Sequence, residues 1–234
     1  MANIICLPKL SIKYPYTLPQ NQLLLVGGGR EPEEKWLLEA AKGRNLWCID
    51  HGMDICHRLR LMPELVLGDF DSCSPDSLQW AQSNGAEIEK FNPQKDFTDT
   101  QAALQRVNDS DTFCILTGAL GKRFDHTYST VFTFGNTSLK GCIADEKEAI
   151  CFLHSNESIT LTADFSPKAI SLLPISHLVT GVTTQGLYWE LSKDELSQMK
   201  PYAVSNVLSE KNNTHTFTIS IKKGILAVYL LQKE

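Results

Sequence analysis

Short, almost wholly apolar runs recur along the first 145 residues, and each ends at a glycine or an acid. Residues 23–26 stop at Gly27-Gly28-Gly29, 46–49 at Asp50, 65–67 at Gly68-Asp69, and 113–116 at Thr117-Gly118. Runs of this length bounded by turn residues predict buried strands. Residues 87–91 are more polar and predict a strand nearer a sheet edge. Helix-like segments fall between them: residues 32–42 with Pro32 in the first turn, a stretch reaching Leu61, residues 75–83, a periodic stretch through Val107, and one from near Arg123 toward Phe134. Ser74 can cap the third of these and Pro75 suits its first position, while Asp96 or Thr98 precedes the fourth. Such β-α alternation predicts a mostly parallel, helix-covered sheet.

Beyond about residue 145 the pattern changes. Residues 159–162 and 216–221 alternate apolar and polar, residues 225–231 form a mostly apolar run after Gly224, and helical periodicity is weak. This predicts a smaller all-β sandwich. The expected division is residues 1–145, an α/β domain for nucleotide and metal, and residues 146–234, the β domain.

The net charge of −5 comes without a dense Lys/Arg run. Nucleic acid and anionic membranes both demand a basic footprint, so neither is expected as a partner. Seven scattered cysteines form no C-x-x-C pair, which argues against zinc and redox motifs and for buried thiols in a reducing compartment. The N-terminal apolar patch is broken by Pro8, Lys9 and Lys13 and lacks a secretory core, and the expected location is cytoplasmic.

The candidate chemistry lies where the runs stop. Asp69 and Asp71, two acids one residue apart beyond a strand, repel each other unless a cation lies between them, and a hard divalent ion carrying phosphates is the usual solution. Residues 92–99 add Lys95, Asp96, Thr98 and Asp99 around a helix start. Capping accounts for one of these side chains but not for an ammonium beside two acids. Residues 117–126 offer Gly118 and Gly121 for close backbone approach to an anion, Arg123 for bidentate grip, and Asp125 and His126 beyond it. The turn lacks Walker spacing, and Gly27-Gly28-Gly29 lacks the full dinucleotide fingerprint. Asp50, Asp69, Asp96 and Gly118 all follow predicted strands, so a parallel sheet would gather them on one edge.

In this order, GDFDS (68–72), PQKDFTDTQAAL (93–104), GALGKRFDHT (118–127), TTQGLYWEL (183–191) and VSN (204–206) resemble the thiamine pyrophosphokinase family. The resemblance implies a homodimer that uses Mg²⁺ to transfer the pyrophosphoryl group of ATP to the thiamine hydroxyl, releasing AMP. It implies Asp69, Asp71 and Asp99 as metal–phosphate acids, and Asp71, Asp99, Lys95 and Arg123 as the catalytic set. Asp50, Ser72, Thr98, Gly118, Gly121, Asp125 and His126 would line the nucleotide site. Ser205 and Asn206 match the thiamine-contacting pair in a β domain that also serves dimerisation. Two positions depart from the family pattern: Gly121-Lys122-Arg123 stands for Gly-Gly-Arg, and Asp50-His51-Gly52 for Asp-Gly-Gly.

An acidic pocket with an aromatic wall suits thiamine's cationic ring, and Tyr188, Trp189 and Tyr202 are candidates for that wall or for β-domain core. Either Asp71 or Asp99 could accept the hydroxyl proton. Two competing expectations are a phosphatase with Asp69 as nucleophile, and a binding protein without turnover.

Overall fold

The computed structural model describes residues 3–108 and 111–232, and the chain divides into two compact units. One runs from Pro19 to Asp145; the other joins the N-terminal segment through Leu18 to the chain from Glu146 onward. That N-terminal segment is a hairpin, β1 (Ile4–Leu7) and β2 (Leu10–Lys13).

The Pro19–Asp145 unit alternates strand and helix throughout. Its elements are β3 (Asn21–Val26), α1 (Glu34–Ala40), β4 (Asn45–Ile49), α2 (Gly52–Arg58), β5 (Leu65–Gly68), α3 (Pro75–Ser83), β6 (Glu87–Lys90), α4 (Asp99–Asn108), β7 (Thr112–Thr117), α5 (Phe124–Gly135) and β8 (Lys140–Ala144). Every strand pair is parallel, in the spatial order β8-β7-β3-β4-β5-β6. Leu24, Leu25, Val26, Val66, Leu67, Ile115 and Leu116 are fully buried, as strands covered on both faces require. At the sheet edge, β6 exposes Glu87 and Lys90. The chain steps outward from β3 to β6, then returns to place β7 on the other side of β3. The loops after β3 and β7 therefore leave in opposite directions, the point at which open α/β sheets bind ligands.

Two helix starts show how local chemistry was divided. Thr98 forms a reciprocal capping box at α4: its hydroxyl accepts the Gln101 N–H at 3.1 Å, and Gln101 Oε1 accepts the Thr98 N–H at 2.8 Å. Pro75 opens α3 as expected, but the Ser74 hydroxyl makes no cap bond. The Ser74 amide is donated to the Asp54 carboxylate on α2 at 3.2 Å, a tertiary bond that satisfies the cap residue's own N–H.

The second unit continues with β9 (Glu148–Leu153), β10 (Ser158–Ala163), β11 (Ala169–Pro174), β12 (Leu178–Gln185), β13 (Asp194–Ser197), β14 (Thr216–Ser220) and β15 (Leu226–Leu231). One antiparallel sheet runs β1-β2-β10-β14-β12-β13, and a second set pairs β11-β15-β9. Alternation is clean in β10 and β14. Leu161, Phe217 and Ile219 point inward, while Thr160–Thr218 and Thr162–Thr216 pair their hydroxyls at 2.9 Å on the other face. The pairing of Ile12 with Leu161 puts the first residues in this unit, whereas the sequence pattern assigned residues 1–145 to the α/β domain. A four-residue strand carries no mark of its partner, because backbone pairing is non-local.

Gly52 sets how α2 meets the sheet. A Cβ there would lie 2.1 Å from the Val26 carbonyl oxygen, with backbone on both sides of the contact. Gly52→Ala is expected to destabilise the protein by about 3 kcal/mol or more through overpacking. Gly43→Ala, at φ +70° with open space around it, should cost only the left-handed penalty of about 1 kcal/mol. Denaturant unfolding of both variants checks this, and equal losses would show that collision at Gly52 is not the constraint.

Candidate active site

The carboxyl ends of β3, β4 and β7, with the first turns of α4 and α5, enclose a cavity of about 240 Å³. Asp50, Ser72, Thr98, Asp99, Gly118, Gly121, Arg123 and His126 line it, all of them expected from the sequence. The wall also includes Gly27-Gly28-Gly29, His51 and Thr130, none of them among the site residues expected from the sequence. Thr130 had a usable signal: it lies four residues after His126, on the same face of α5.

The triple glycine has a packing function that explains its broken fingerprint. Gly27 donates its amide to Thr117 O at 2.8 Å, and the amide of Arg30 is donated to Leu120 O at 2.8 Å. A Cβ on Gly27 would lie 2.9 Å from Gly118 O, and one on Gly29 would lie 2.6 Å from the same oxygen. The glycines let the β3 and β7 loops touch backbone to backbone.

The acids gather beside the cavity. One carboxylate oxygen from each of Asp50, Asp69 and Asp71 falls within 4.8 Å of the others, an all-oxygen donor set suited to a hard divalent cation. Asp50 is held on both oxygens: Oδ1 accepts the Phe70 amide at 3.1 Å, and Oδ2 accepts the Ser72 hydroxyl at 2.6 Å. Asp99 stands apart from this trio and is joined to it through Lys95, whose ammonium lies 3.3 Å from Asp69 Oδ2 and 3.1 Å from Asp99 Oδ1. With its side chain only 8 % exposed, Lys95 is a fixed cation.

The charges shift accordingly. Burial pushes Asp69 up, but the Asp71 amide and the Lys95 ammonium outweigh it and hold the carboxyl below its usual range. The neighbouring Asp69 charge, with lesser contributions from burial and Asp50, raises exposed Asp71. Burial lowers Lys95, yet Asp99 and then Asp69 keep it above the ordinary lysine value.

Both departures from the family pattern have structural accounts. Lys122 adopts φ +54°, the left-handed conformation that glycine supplies more cheaply, and its ammonium donates to Gly28 O at 3.3 Å. The turn therefore keeps a glycine-like backbone. His51 opens α2 with Nδ1 2.8 Å from Asp54 and 3.2 Å from Ser72 O, while the indispensable glycine of that stretch is Gly52. Arg123 is exposed and doubly hydrogen-bonded to Asp125, at 3.1 and 2.6 Å. This pairing holds Asp125 below its usual range.

Ser205 and Asn206 lie in the second unit. The Ser205 amide is donated to Ser171 Oγ at 3.0 Å, and the residue itself takes φ +59°. Asn206 spends its side chain on Trp189, accepting that residue's amide at 3.1 Å and donating to its carbonyl at 2.8 Å. Tyr188, Trp189 and Tyr202 are each at least half exposed, so they are surface aromatics and not β-unit core.

Comparison with known proteins identifies the family of both units. The family described as "Thiamin pyrophosphokinase, catalytic domain" matches residues 38–143, within the α/β unit, and "Thiamin pyrophosphokinase, vitamin B1 binding domain" matches residues 156–226 in the other. Thiamine pyrophosphokinase 1 of Oryza sativa subsp. japonica is 26% identical over 165 residues, 66% of this chain and 62% of the relative. The match thus spans less than two thirds of that protein. Thiamine pyrophosphokinase 2 of Arabidopsis thaliana is 28% identical over 73% of this chain and 70% of its own length. Thiamine pyrophosphokinase from Bacillus subtilis shares the fold, with a TM-score of 0.77 at 19% identity over 92% of this chain and 100% of the other. With both of its family regions matched in order, each within its own structural unit, the chain belongs to the thiamin pyrophosphokinase family.

Proposed function

We propose that this protein transfers the pyrophosphoryl group of ATP to the hydroxyl of thiamine, giving thiamine diphosphate and AMP. The observation that carries this is the meeting, at one sheet edge, of a carboxylate trio, a fixed lysine and a glycine-lined cavity. Phosphoryl-type transfer to an alcohol is mainly a matter of positioning and charge neutralisation, and those are the two things this edge provides. Asp50, Asp69 and Asp71 would hold Mg²⁺, for which three hard oxygen donors are a fitting set, and Asp99 would complete the acidic wall. When bound, the ion supplies charge neutralisation on the phosphates.

The chain's own groups account for the rest. Lys95 is a preplaced cation for phosphate oxygens, and Arg123, exposed at the cavity rim, would exchange its pairing with Asp125 for a phosphate. Gly118 and Gly121 line the cavity beside the first turn of α5, whose N–H groups would favour an anion. Asp71 is exposed, whereas Asp99 is already engaged by Lys95, which makes Asp71 the more accessible acceptor for the attacking hydroxyl's proton. Ser205 supports thiamine recognition in the second unit, and Asn206 holds the exposed Trp189 whose ring suits a cationic thiazolium.

We further infer a homodimer, in keeping with the surface aromatics of the second unit. The net charge of −5 speaks against a nucleic-acid partner. No helix among the described residues is long and apolar enough to cross a membrane, and we propose a cytoplasmic location.

Incubation with Mg²⁺, ATP and thiamine should yield AMP and thiamine diphosphate in equal amounts, resolved by anion-exchange chromatography. ADP with thiamine monophosphate would replace this reaction by single phosphoryl transfer, and phosphate release from simple monoesters without ATP would favour a phosphatase. Asp71→Asn should lower kcat by about 10²-fold or more, the scale of losing one group that acts on developing charge, with an unchanged circular dichroism spectrum. Near-normal turnover in that variant would remove Asp71 from the reacting centre. Lys122→Gly should leave the KM for ATP within about twofold, because it keeps the left-handed turn and relieves its strain. A rise of about tenfold, equivalent to a lost interaction of about 1.4 kcal/mol, would instead make Lys122 a nucleotide ligand.

A further inference from the structure

We infer that Arg30, through its ion pair with Asp145, is a positioning residue for the nucleotide loop 118–123. Nothing in the sequence pattern of the site marks it: Arg30 follows the triple glycine and does not itself line the cavity. The inference rests on the nucleotide assignment of the cavity made above, and concerns what keeps its most mobile type of wall in one place.

Three kinds of contact converge on the loop. The first is the backbone ladder from the β3 loop, in which the amides of Gly27, Gly29 and Arg30 are donated to the carbonyls of Thr117, Gly118 and Leu120 at 2.8, 2.5 and 2.8 Å. This extends the β3–β7 pairing past the ends of both strands and stops at Leu120.

The second contact is the Arg30 side chain, which takes over where the ladder ends. Its Cβ lies 3.0 Å, and its Nη1 3.1 Å, from where a Cβ of Gly121 would stand. The Arg30 stem and Nη1 therefore lie against Gly121, at φ +69°, the residue around which the loop turns. From the other side, the Thr127 hydroxyl of α5 donates to Gly121 O at 3.4 Å.

The third contact fixes the guanidinium. Nε and Nη2 both donate to Asp145 Oδ2, Nε at 3.2 Å. Asp145 follows β8 directly, and its side chain is 2 % exposed against 25 % for Arg30. Separating a buried ion pair is strongly unfavourable, so Arg30 is tied to the carboxyl end of β8. The planar fork matters as well as the charge: with Nε and Nη2 committed to Asp145, Nη1 is directed to the Gly121 side. A lysine would retain the charge and lose that direction.

The consequence is specific. Backbone groups bind an anion well when they are already arranged, and the Arg30–Asp145 pair arranges Gly121 and its neighbours. Loosening the pair should weaken nucleotide binding while sparing thiamine recognition, whose candidate residues lie in the other unit.

The test compares wild type, Arg30→Lys and Arg30→Ala by titration with ATP and Mg²⁺, by steady-state kinetics and by thermal unfolding. Arg30→Lys should keep the wild-type Tm within a few degrees yet raise the Kd and KM for ATP by about three- to tenfold. Its kcat at saturating ATP and its KM for thiamine should stay within about twofold. Arg30→Ala should show a larger loss of ATP affinity together with a lowered Tm; if it does not fold, Arg30→Lys decides alone. Unchanged ATP affinity in folded Arg30→Lys would overturn the inference, as would a parallel fall in kcat and in apparent affinity for both substrates. A wild-type protein that binds ATP but makes no thiamine diphosphate would defeat the proposed activity and leave the loop inference to the ATP titration. One that binds no ATP would overturn both.

Discussion

The reversal of strand order between β3 and β7 is the constraint on which the rest of the site depends. Parallel strands all point their carboxyl ends the same way, so every loop that leaves them emerges on one edge. Between most neighbours those loops crowd over one another. At β3 and β7 the chain departs toward opposite flanks, and the edge opens. The two loops then need a reason not to drift apart, and the glycines at 27, 29 and 118 provide it by allowing direct backbone contact where any side chain would collide. The cavity is thus the product of one topological gap and one set of absent Cβ atoms.

Charge is the second determinant, and it follows from the first. Gathering Asp50, Asp69 and Asp71 on one edge sets like charges within a few ångströms of one another, which is unfavourable in a half-buried setting. The structure answers with hydrogen bonds where the chain can supply them and with Lys95 where it cannot. Asp50 is satisfied by the Phe70 amide and Ser72; Asp69 has the Asp71 amide and the lysine; Asp71 has neither in comparable measure and is the one raised. Three acids of the same residue type therefore differ in character because their surroundings differ. That difference leaves Asp50 held on both oxygens, Asp69 ionised beside a lysine, and Asp71 exposed and raised.

Much of this was legible in the chain itself. Apolar runs that stop at Gly68, Thr117 and Asp50 revealed the parallel sheet, and the residues just beyond them are the residues at its edge. Asp69, Asp71, Lys95 and Asp99 were legible because acids and a lysine placed together at strand and helix ends have few structural uses. What escaped was non-local. The partner of β2 is more than a hundred residues away in β10, and no local period specifies it. The bond from the Ser74 amide to Asp54, twenty residues earlier, is non-local in the same way. The triple glycine looked like a damaged dinucleotide motif because its glycines also serve contact with a loop some ninety residues later (Gly27 against Gly118), besides lining the cavity. Arg30 escaped with it, its partner being Asp145. Membership of Asp50 in the closest carboxylate trio, with Asp99 set across Lys95, depends on side-chain placement that spacing alone does not contain.

Backbone strain connects these levels. Asp50, Phe70 and Lys122 all adopt positive φ, at +50°, +63° and +54°, and all three lie in loops at the sheet's carboxyl edge. Asparagine or glycine would relieve each at little steric cost, and for an aromatic such as Phe70 the left-handed region is a true outlier. Such conformations persist only where the surroundings over-determine them. Here the determinants can be named. The Phe70 amide is drawn to Asp50 Oδ1, the Asp50 amide is donated to Leu67 O at 2.9 Å, and Lys122 is tied to Gly28 O. Each strained residue is thereby bonded to a neighbouring strand or to the loop that follows one. The strain is the mechanical trace of loops being pulled toward one another, and it concentrates where the carboxylates and the glycine turn must share one small volume.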